Sequence, residues 1–375
     1  MKSTERGITN FCYAWKKNNI PALETGISLH GHTSHSHESL AFLPGAVKKA
    51  YILPYLLHKV EKRFAKNWNT ELDYSLGYWT SPVPPEKAYA LESKQIESYG
   101  FTPLVSITDH DEISACKDIV SLEWTAPYLS DIFHIGIHNL PVHKAGTIFK
   151  MLLSTADNSA RTKDSHALID ALSEVAKHRE SLIVMNHPLV DQGRIGHEIH
   201  ASHIREFLKN NGEFIHALEL NALQPHSVNR RVAVIGREWG IPFVAGGDRH
   251  GFEPNGAINI TDAATFGEFA GEIRERKIST ILFMPQYSHN LKLRYAKNVA
   301  AIMGKYPELG ERARWHDRVF YQCPDGITRS LTEMTSPTSG LLNTANKLVG
   351  ALKFVNRLVQ PADILRSMRL DEMNF

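Results

Sequence analysis

Three hundred and seventy-five residues at 42.2 kDa suffice for one large catalytic domain with an appendage and are too many for a small stapled scaffold. The chain is 42% hydrophobic and 22% charged, ordinary globular usage, and no stretch approaches the roughly 18 apolar residues of a spanning helix, so no membrane span is expected. The 42 basic and 40 acidic side chains leave a net charge of +2, too weak a field to argue by itself for nucleic acid or an anionic membrane. Cys12, Cys116 and Cys323 are scattered with no CxxC pair, which speaks against a disulfide framework or a thiolate zinc site and fits a reducing compartment. Met1 to Ile20 mixes charged residues with no apolar core segment, so a secretory signal is not expected and the cytoplasm is the default location. Histidine is the unusual residue. Twenty occur, and imidazole is both the commonest metal-binding side chain and the usual acid or base at neutral pH.

In chain order, Thr25 to Leu29 reads as a short strand delivering into His30 Gly31 His32 Thr33 Ser34 His35 Ser36 His37. Ala46 to Lys66 reads as an amphipathic helix broken or kinked at Pro54, followed by a loop with Trp68, Tyr74, Tyr78 and Trp79. Pro84 and Pro85 open a helix that Gly100 closes, and Pro103 to Ile107 is a strand ending at Thr108 Asp109 His110 Asp111. The arrangement recurs: Ile119 to Leu122 leads into Glu123, Asp131 to Phe133 into His134, Leu182 to Met185 into Asn186 His187 Pro188, Ala217 to Leu220 into Asn221, and Pro242 to Gly247 into Asp248 Arg249 His250. Helices over Asp164 to His178 and Ser227 to Trp239 separate several of these runs. Polar residues at the C-terminal ends of successive parallel strands are what a (β/α) barrel offers a catalytic site. After about Ser288 the chemistry stops and the chain reads as mainly helical, with Leu341, Ala345, Leu348, Leu352, Val355 and Val359 on one helical seam. That seam suits docking onto the barrel first and dimerisation second.

His30 and His32 lie two apart, so in a regular strand both face one side and can chelate one ion; the alternative is plain surface polarity. The later strand ends decide between them. Leu29 His30 Gly31 His32 Thr33 with Ser36 and His37, Thr108 Asp109 His110, Glu123, His134 Ile135 Gly136, Asn186 His187 Pro188 and Gly246 Gly247 Asp248 Arg249 His250 together resemble, in order, the motifs of the PHP family, named for polymerase and histidinol phosphatase domains. The resemblance spans roughly Thr25 to Ser288. It implies a distorted (β/α) barrel of the PHP type over 25–288 with a helical insertion at 38–85, after an N-terminal lead at 1–24 and before a helical extension at 289–375. It implies as metal ligands His30, His32, His37, His110, Glu123, His134, His187, Asp248 and His250, seven imidazoles and two carboxylates. Nine ligands exceed the needs of one ion, in keeping with two or three divalent ions, and an imidazole-rich set suits zinc, iron or manganese. Two departures stand out: His37 fills a slot often held by Asp, with His35 also within reach, and Arg249 separates two expected ligands.

Clustered divalent ions activate water and neutralise phosphoryl oxygens, so the expected reaction is hydrolysis of a small phosphomonoester or phosphodiester by a metal-bridging hydroxide. Asp109 is read as an acceptor orienting an imidazole or as a helix cap, Arg194 as a phosphate clamp, and His35, His226 or a metal-bound water as the general acid. Arg161, Lys163 and Arg179 are further rim cations or solvated surface charge, Glu219 and Asn221 pocket residues or a hydrogen-bonded strand end, and His138 a packing or surface residue. A free nuclease is one alternative. An amidohydrolase-like C–N hydrolase is another, though the strand ends offer Glu123 and His134 where that group often brings a carbamylated lysine. The insertion is expected to form either an aromatic lid or a small satellite core built on Tyr51, Tyr55, Phe64 and Trp68.

Overall fold

The computed structural model describes residues 8–16, 20–47, 53–156 and 165–335. The C-terminal seam, Tyr51, Arg161 and Lys163 lie outside them. The described strands are β1 (Ile8–Tyr13), β2 (Thr25–Ser28), β3 (Glu38–Ser39), β4 (Gly77–Trp79), β5 (Thr102–Val105), β6 (Val120–Tyr128), β7 (Asp131–Leu140), β8 (Leu182–Met185), β9 (Ala217–Asn221), β10 (Phe243–Gly246), β11 (Ala257–Thr261), β12 (Ile278–Phe283), β13 (Val319–Gln322) and β14 (Thr328–Ser330). The helices are α1 (Leu43–Val47), α2 (Leu53–Trp68), α3 (Pro85–Glu97), α4 (Val142–Ala156), α5 (Ser165–Ala176), α6 (His197–Asn211), α7 (His226–Trp239), α8 (Phe266–Gly271), α9 (Leu291–Ile302) and α10 (Leu331–Met334). None of the described helices is long and apolar enough to cross a membrane.

The chain is mixed α/β, as the alternation of runs predicts. Every residue of β8, β9 and β10 is buried, the pattern of short strands covered on both faces. Helix α7 ends where Gly240 turns left-handed at φ 66°, and α3 has Pro85 at its first position. Pro54 sits in the first turn of α2 and so starts a helix where the sequence suggests a kink.

Two five-stranded sheets carry the body, ordered β1-β12-β11-β2-β5 and β10-β9-β8-β7-β6. Their ladders do not run continuously into a closed barrel. The ends of β2 and β5 instead meet the two edges of the second sheet through single bridges, Gly31 to Arg249 and His110 to Glu123. Hydrogen bonds from His32 N to Arg249 O (2.8 Å), Gly247 N to Leu29 O (3.2 Å) and Asp111 N to Glu123 O (2.9 Å) sew these seams. The expected all-parallel order also fails at β6 and β7, which form an antiparallel hairpin, with β7 antiparallel to β8 as well. The turn at Leu129 (φ 53°) sends the chain straight back, so Glu123 and His134 lie within strands that continue past them.

Strands from the insertion and from the described part of the post-288 segment share one sheet. Strands β3 and β4 pair with each other, and β4 pairs with β13, completing a four-stranded sheet β14-β13-β4-β3. The segment after Ser288 is therefore partly strand, where the sequence reads as helical, because β13 finds its partner in the distant β4. Phe64 of α2 packs edge-on to Tyr321 at 5.0 Å between centroids, with Trp68 and Met334 beside them. This is the satellite core. Tyr55 takes no part in it, being exposed with Lys59 over its ring. Phe64→Ala should cost about 3–5 kcal/mol of stability in urea unfolding; a loss under 1 kcal/mol would show that this small core does not hold the appendage in place.

Candidate metal centre

Glu123, completely buried, collects imidazoles from five points of the chain. Its Oε1 lies 3.2 Å from His30 Nε2, 3.4 Å from His134 Nδ1 and 3.2 Å from His187 Nε2; its Oε2 lies 3.4 Å from His32 Nε2 and 3.1 Å from His110 Nε2. Asp248 Oδ1 adds a second acceptor, 3.4 Å from His32 Nε2 and 3.7 Å from His30 Nε2. A third carboxylate closes the cluster from the appended sheet: Glu38 on β3 reaches His110 Nε2 at 3.1 Å and His250 Nε2 at 3.0 Å. Three overlapping groups have donor atoms close enough to share an ion: His32, Glu38, His110 and His250; His30, His32 and Glu123; and His110, Glu123 and His134.

The site fits divalent ions. Among the described residues, the buried atoms His30 Nε2, His32 Nε2, His134 Nδ1, His250 Nε2 and Glu123 Oε2 come within ion-pair distance of one another's side chains or of Glu38 but make no well-aligned hydrogen bond, whereas buried polar atoms are normally satisfied. The donor set is imidazole and carboxylate, groups that bind divalent ions.

His37 is not brought into the group. It is exposed and lies against the Tyr78 ring at 4.2 Å between centroids, while the next residue, Glu38, turns inward. The acidic residue two places after Ser36 was the available signal, and pairing of Glu38 with Trp79 in the sheet β3–β4 decides which of the neighbours faces the cluster. His35 is also exposed, with Nδ1 2.7 Å from Ser114 Oγ, and His226 lies at the start of α7 against Tyr287. Among the described residues, the hydrogen bonds of Asp109 run to Thr33 and not to an imidazole. Its carboxylate accepts from Thr33 N (2.5 Å) and Thr33 Oγ1 (2.6 Å), tying the His32 turn to the His110 turn, and burial pushes it up to about 6. Arg194 is exposed in the loop before α6, beside Gly45, and no hydrogen bond or ion pair joins it to the cluster.

Arg249 points away from the cluster, as an alternation of facing side chains predicts, although the segment is not extended: Asp248 has φ 49°. The guanidinium is buried against Glu92, Nε to Oε1 at 2.8 Å, and Glu92 also accepts from Ser28 Oγ at 3.0 Å and Asn255 N at 3.1 Å. Arg249 is thus a brace for the ligand loop. His138 is buried, with Nδ1 2.7 Å from Ser106 Oγ, a packing residue as expected.

Glu219 and Asn221 serve the site from behind. Glu219 Oε1 lies 2.5 Å from His30 Nδ1, while Oε2 accepts from His187 N (2.6 Å) and Asn221 Nδ2 (3.1 Å). This fixes His30 with Nε2 toward the cluster, the role of carboxylates behind ligating imidazoles. Gly246 makes it feasible, since a Cβ there would overlap Glu219 Oε1. Asn186, which the sequence reading passed over, donates from Nδ2 to Glu123 Oε1 at 2.9 Å. His30, His187 and Asp248 all adopt positive φ (59°, 27° and 49°), strained for non-glycine residues.

Burial and neighbours split the imidazoles. Burial, with His250 nearby, pushes His32 down to about 3. For His110 burial acts the same way, but Glu38 and Glu123 outweigh it and it is pushed up to about 10. The metal-free cluster therefore holds a proton on His110 at pH 7 that an incoming ion must displace.

No protein-family model and no curated protein matches the chain. Among solved structures it is similar to a Bifidobacterium adolescentis protein provisionally described as a metal-dependent phosphoesterase, at 14% identity over 47% of this chain and 86% of that one, TM-score 0.28. It is also similar to PsfC from Pseudomonas syringae, at 14% identity over 73% of this chain and 96% of that one, TM-score 0.35. Likenesses this loose carry no argument about fold or activity.

Glu38→Gln should lower bound metal measured by elemental analysis, whereas His37→Ala should leave it unchanged; the reverse would restore His37 as the ligand. Titrating zinc into chelator-stripped chain at pH 7 in weak buffer should release protons, recorded by pH-stat, and zinc uptake without release would show His110 neutral beforehand. Arg249→Ala should cost about 3–5 kcal/mol in denaturant unfolding, because it leaves Glu92 buried and unpaired.

Proposed function

We propose that the chain is a metal-dependent phosphoesterase of the PHP kind, acting on a small phosphomonoester or phosphodiester, with a distorted barrel as the frame of its site. The observation that carries this reading is the convergence of six imidazoles and three carboxylates on one buried cluster, in which four of the inward nitrogens make no hydrogen bond among the described residues. His30, His32, Glu38, His110, Glu123, His134, His187, Asp248 and His250 would hold two or three divalent ions. Such ions, when bound, supply a water nucleophile active at neutral pH and neutralise phosphoryl oxygens.

The chain's own residues arrange the rest. Glu219 holds His30 in one tautomer and His187 at its backbone. Asn186 keeps one oxygen of Glu123 oriented, and Ser36 donates from Oγ to Glu38 Oε1 at 2.6 Å, so neither carboxylate is free to turn. Positive φ at His30 and Asp248 points both side chains at the cluster when a regular strand would not. The modest net charge of +2 favours a compact substrate over a long polyanionic strand, where affinity needs many cationic contacts. A reducing, cytoplasmic setting agrees with the three unpaired cysteines.

Purified chain should hydrolyse a chromogenic aryl phosphate, lose that activity to a chelator and regain it with zinc, manganese or iron(II). His32→Ala and Asp248→Ala should each lower metal content and cut the rate at least a hundredfold. Activity indifferent to chelation, with no bound transition metal, would overturn the reading, and a rate at least tenfold higher on short oligonucleotides would move it to a nuclease.

A further inference from the structure

On the outer side of the Asp248 loop lies a cavity of ≈ 380 Å³ of empty space counting its open mouth, lined by Gly247, Arg249, Arg294 and Asn298 among others. Arg294 is 6% exposed, and among the described residues no carboxylate comes within ion-pair distance of it. Its Nη1 donates to Ala222 O, its guanidinium lies over the Tyr287 ring at 4.8 Å, and its Nε has no partner. Two other buried arginines also keep one unpartnered nitrogen each, Arg249 Nη2 and Arg318 Nε, but are better supplied overall. Arg249 pairs with Glu92, and Arg318 donates to the carbonyls of Arg312, Ala313, Ile302 and Gly304. A buried guanidinium left with one carbonyl is costly unless an anion completes it. Glu253 also lines the cavity, but it is 3.5 Å from Lys297 Nζ, so Arg294 leaves the local charge positive.

We propose that this cavity is an oxyanion subsite in which Arg294 binds a phosphate or carboxylate group. Asn298 sits one helical turn further along α9 on the same face and lines the same space, supplying an amide donor beside the guanidinium. Gly247 and Arg249, which line the cavity, flank Asp248 in sequence, so the subsite adjoins the metal cluster through one residue. Two sources meet the same chemistry: a second anionic group on the substrate, which rests on the phosphoesterase reading, or a free inorganic anion, which does not.

Inorganic phosphate is titrated calorimetrically into the full chain carrying His32→Ala, which removes a shared metal ligand, and into the same chain with Arg294→Met added. Phosphate should bind the first and bind the second at least tenfold more weakly, and Arg294→Lys in place of Met should recover part of the loss. Equal binding by the two chains, or none by the first, overturns the proposal. Arg294→Met alone is checked by circular dichroism and metal content, and loss of either would make Arg294 a folding residue and overturn the proposal as well. In the metal-loaded chain, a KM increase tenfold greater for a carboxylate-bearing phosphoester than for an aryl phosphate assigns the anion to the substrate, and equal increases assign it to a free anion. A wild-type chain inactive on every phosphoester would end the phosphoesterase reading and leave the phosphate titration standing.

Discussion

A carboxylate stripped of all water cannot stay ionised without compensating positive charge, and Glu123 is such a group. Five imidazole nitrogens stand within 3.4 Å of it, and burial, which alone would raise it, is overcome by His30, His110 and His134, so it stays well below the usual carboxylate range. The same constraint places the seam between the sheets. Glu123 bridges to His110 across one junction, and the segment holding His30 and His32 bridges to Arg249 across the other. Where a ladder of backbone hydrogen bonds would close the structure, single bridges and the cluster of side chains do so instead.

Around this centre the supports are polar, buried and paired. Glu219, Asn186, Ser36 and Asp109 each hold a ligand or the turn bearing one. Farther out, Glu92, Arg249 and Asn255 bind the Asp248 loop to β2 and α3, with Asn255 Nδ2 donating to Ser28 Oγ at 2.7 Å and to Leu29 O at 2.9 Å. Such a layer is what keeps His30, His187 and Asp248 in left-handed conformations that would otherwise relax. The four-stranded appendage belongs to the same design, since its first strand begins with Glu38.

The density of histidine, the order of the polar strand ends and the apolar runs of β8, β9 and β10 were legible in the chain, because local composition and short-range periodicity carry them. Eight of the nine residues named as ligands meet in one cluster for that reason. The choice between His37 and Glu38 was not legible: both are polar, adjacent and chemically able to bind a metal, and only pairing of β3 with β4, some 40 positions away, turns one inward. The hairpin of β6 and β7, and the union of β4 with β13, are likewise non-local pairings that no window of sequence contains. Arg249 illustrates the division most clearly. Its position between Asp248 and His250 could be read from the sequence, but its partner, Glu92, lies 157 residues earlier, and only folding determines that the guanidinium braces a loop instead of facing the cluster.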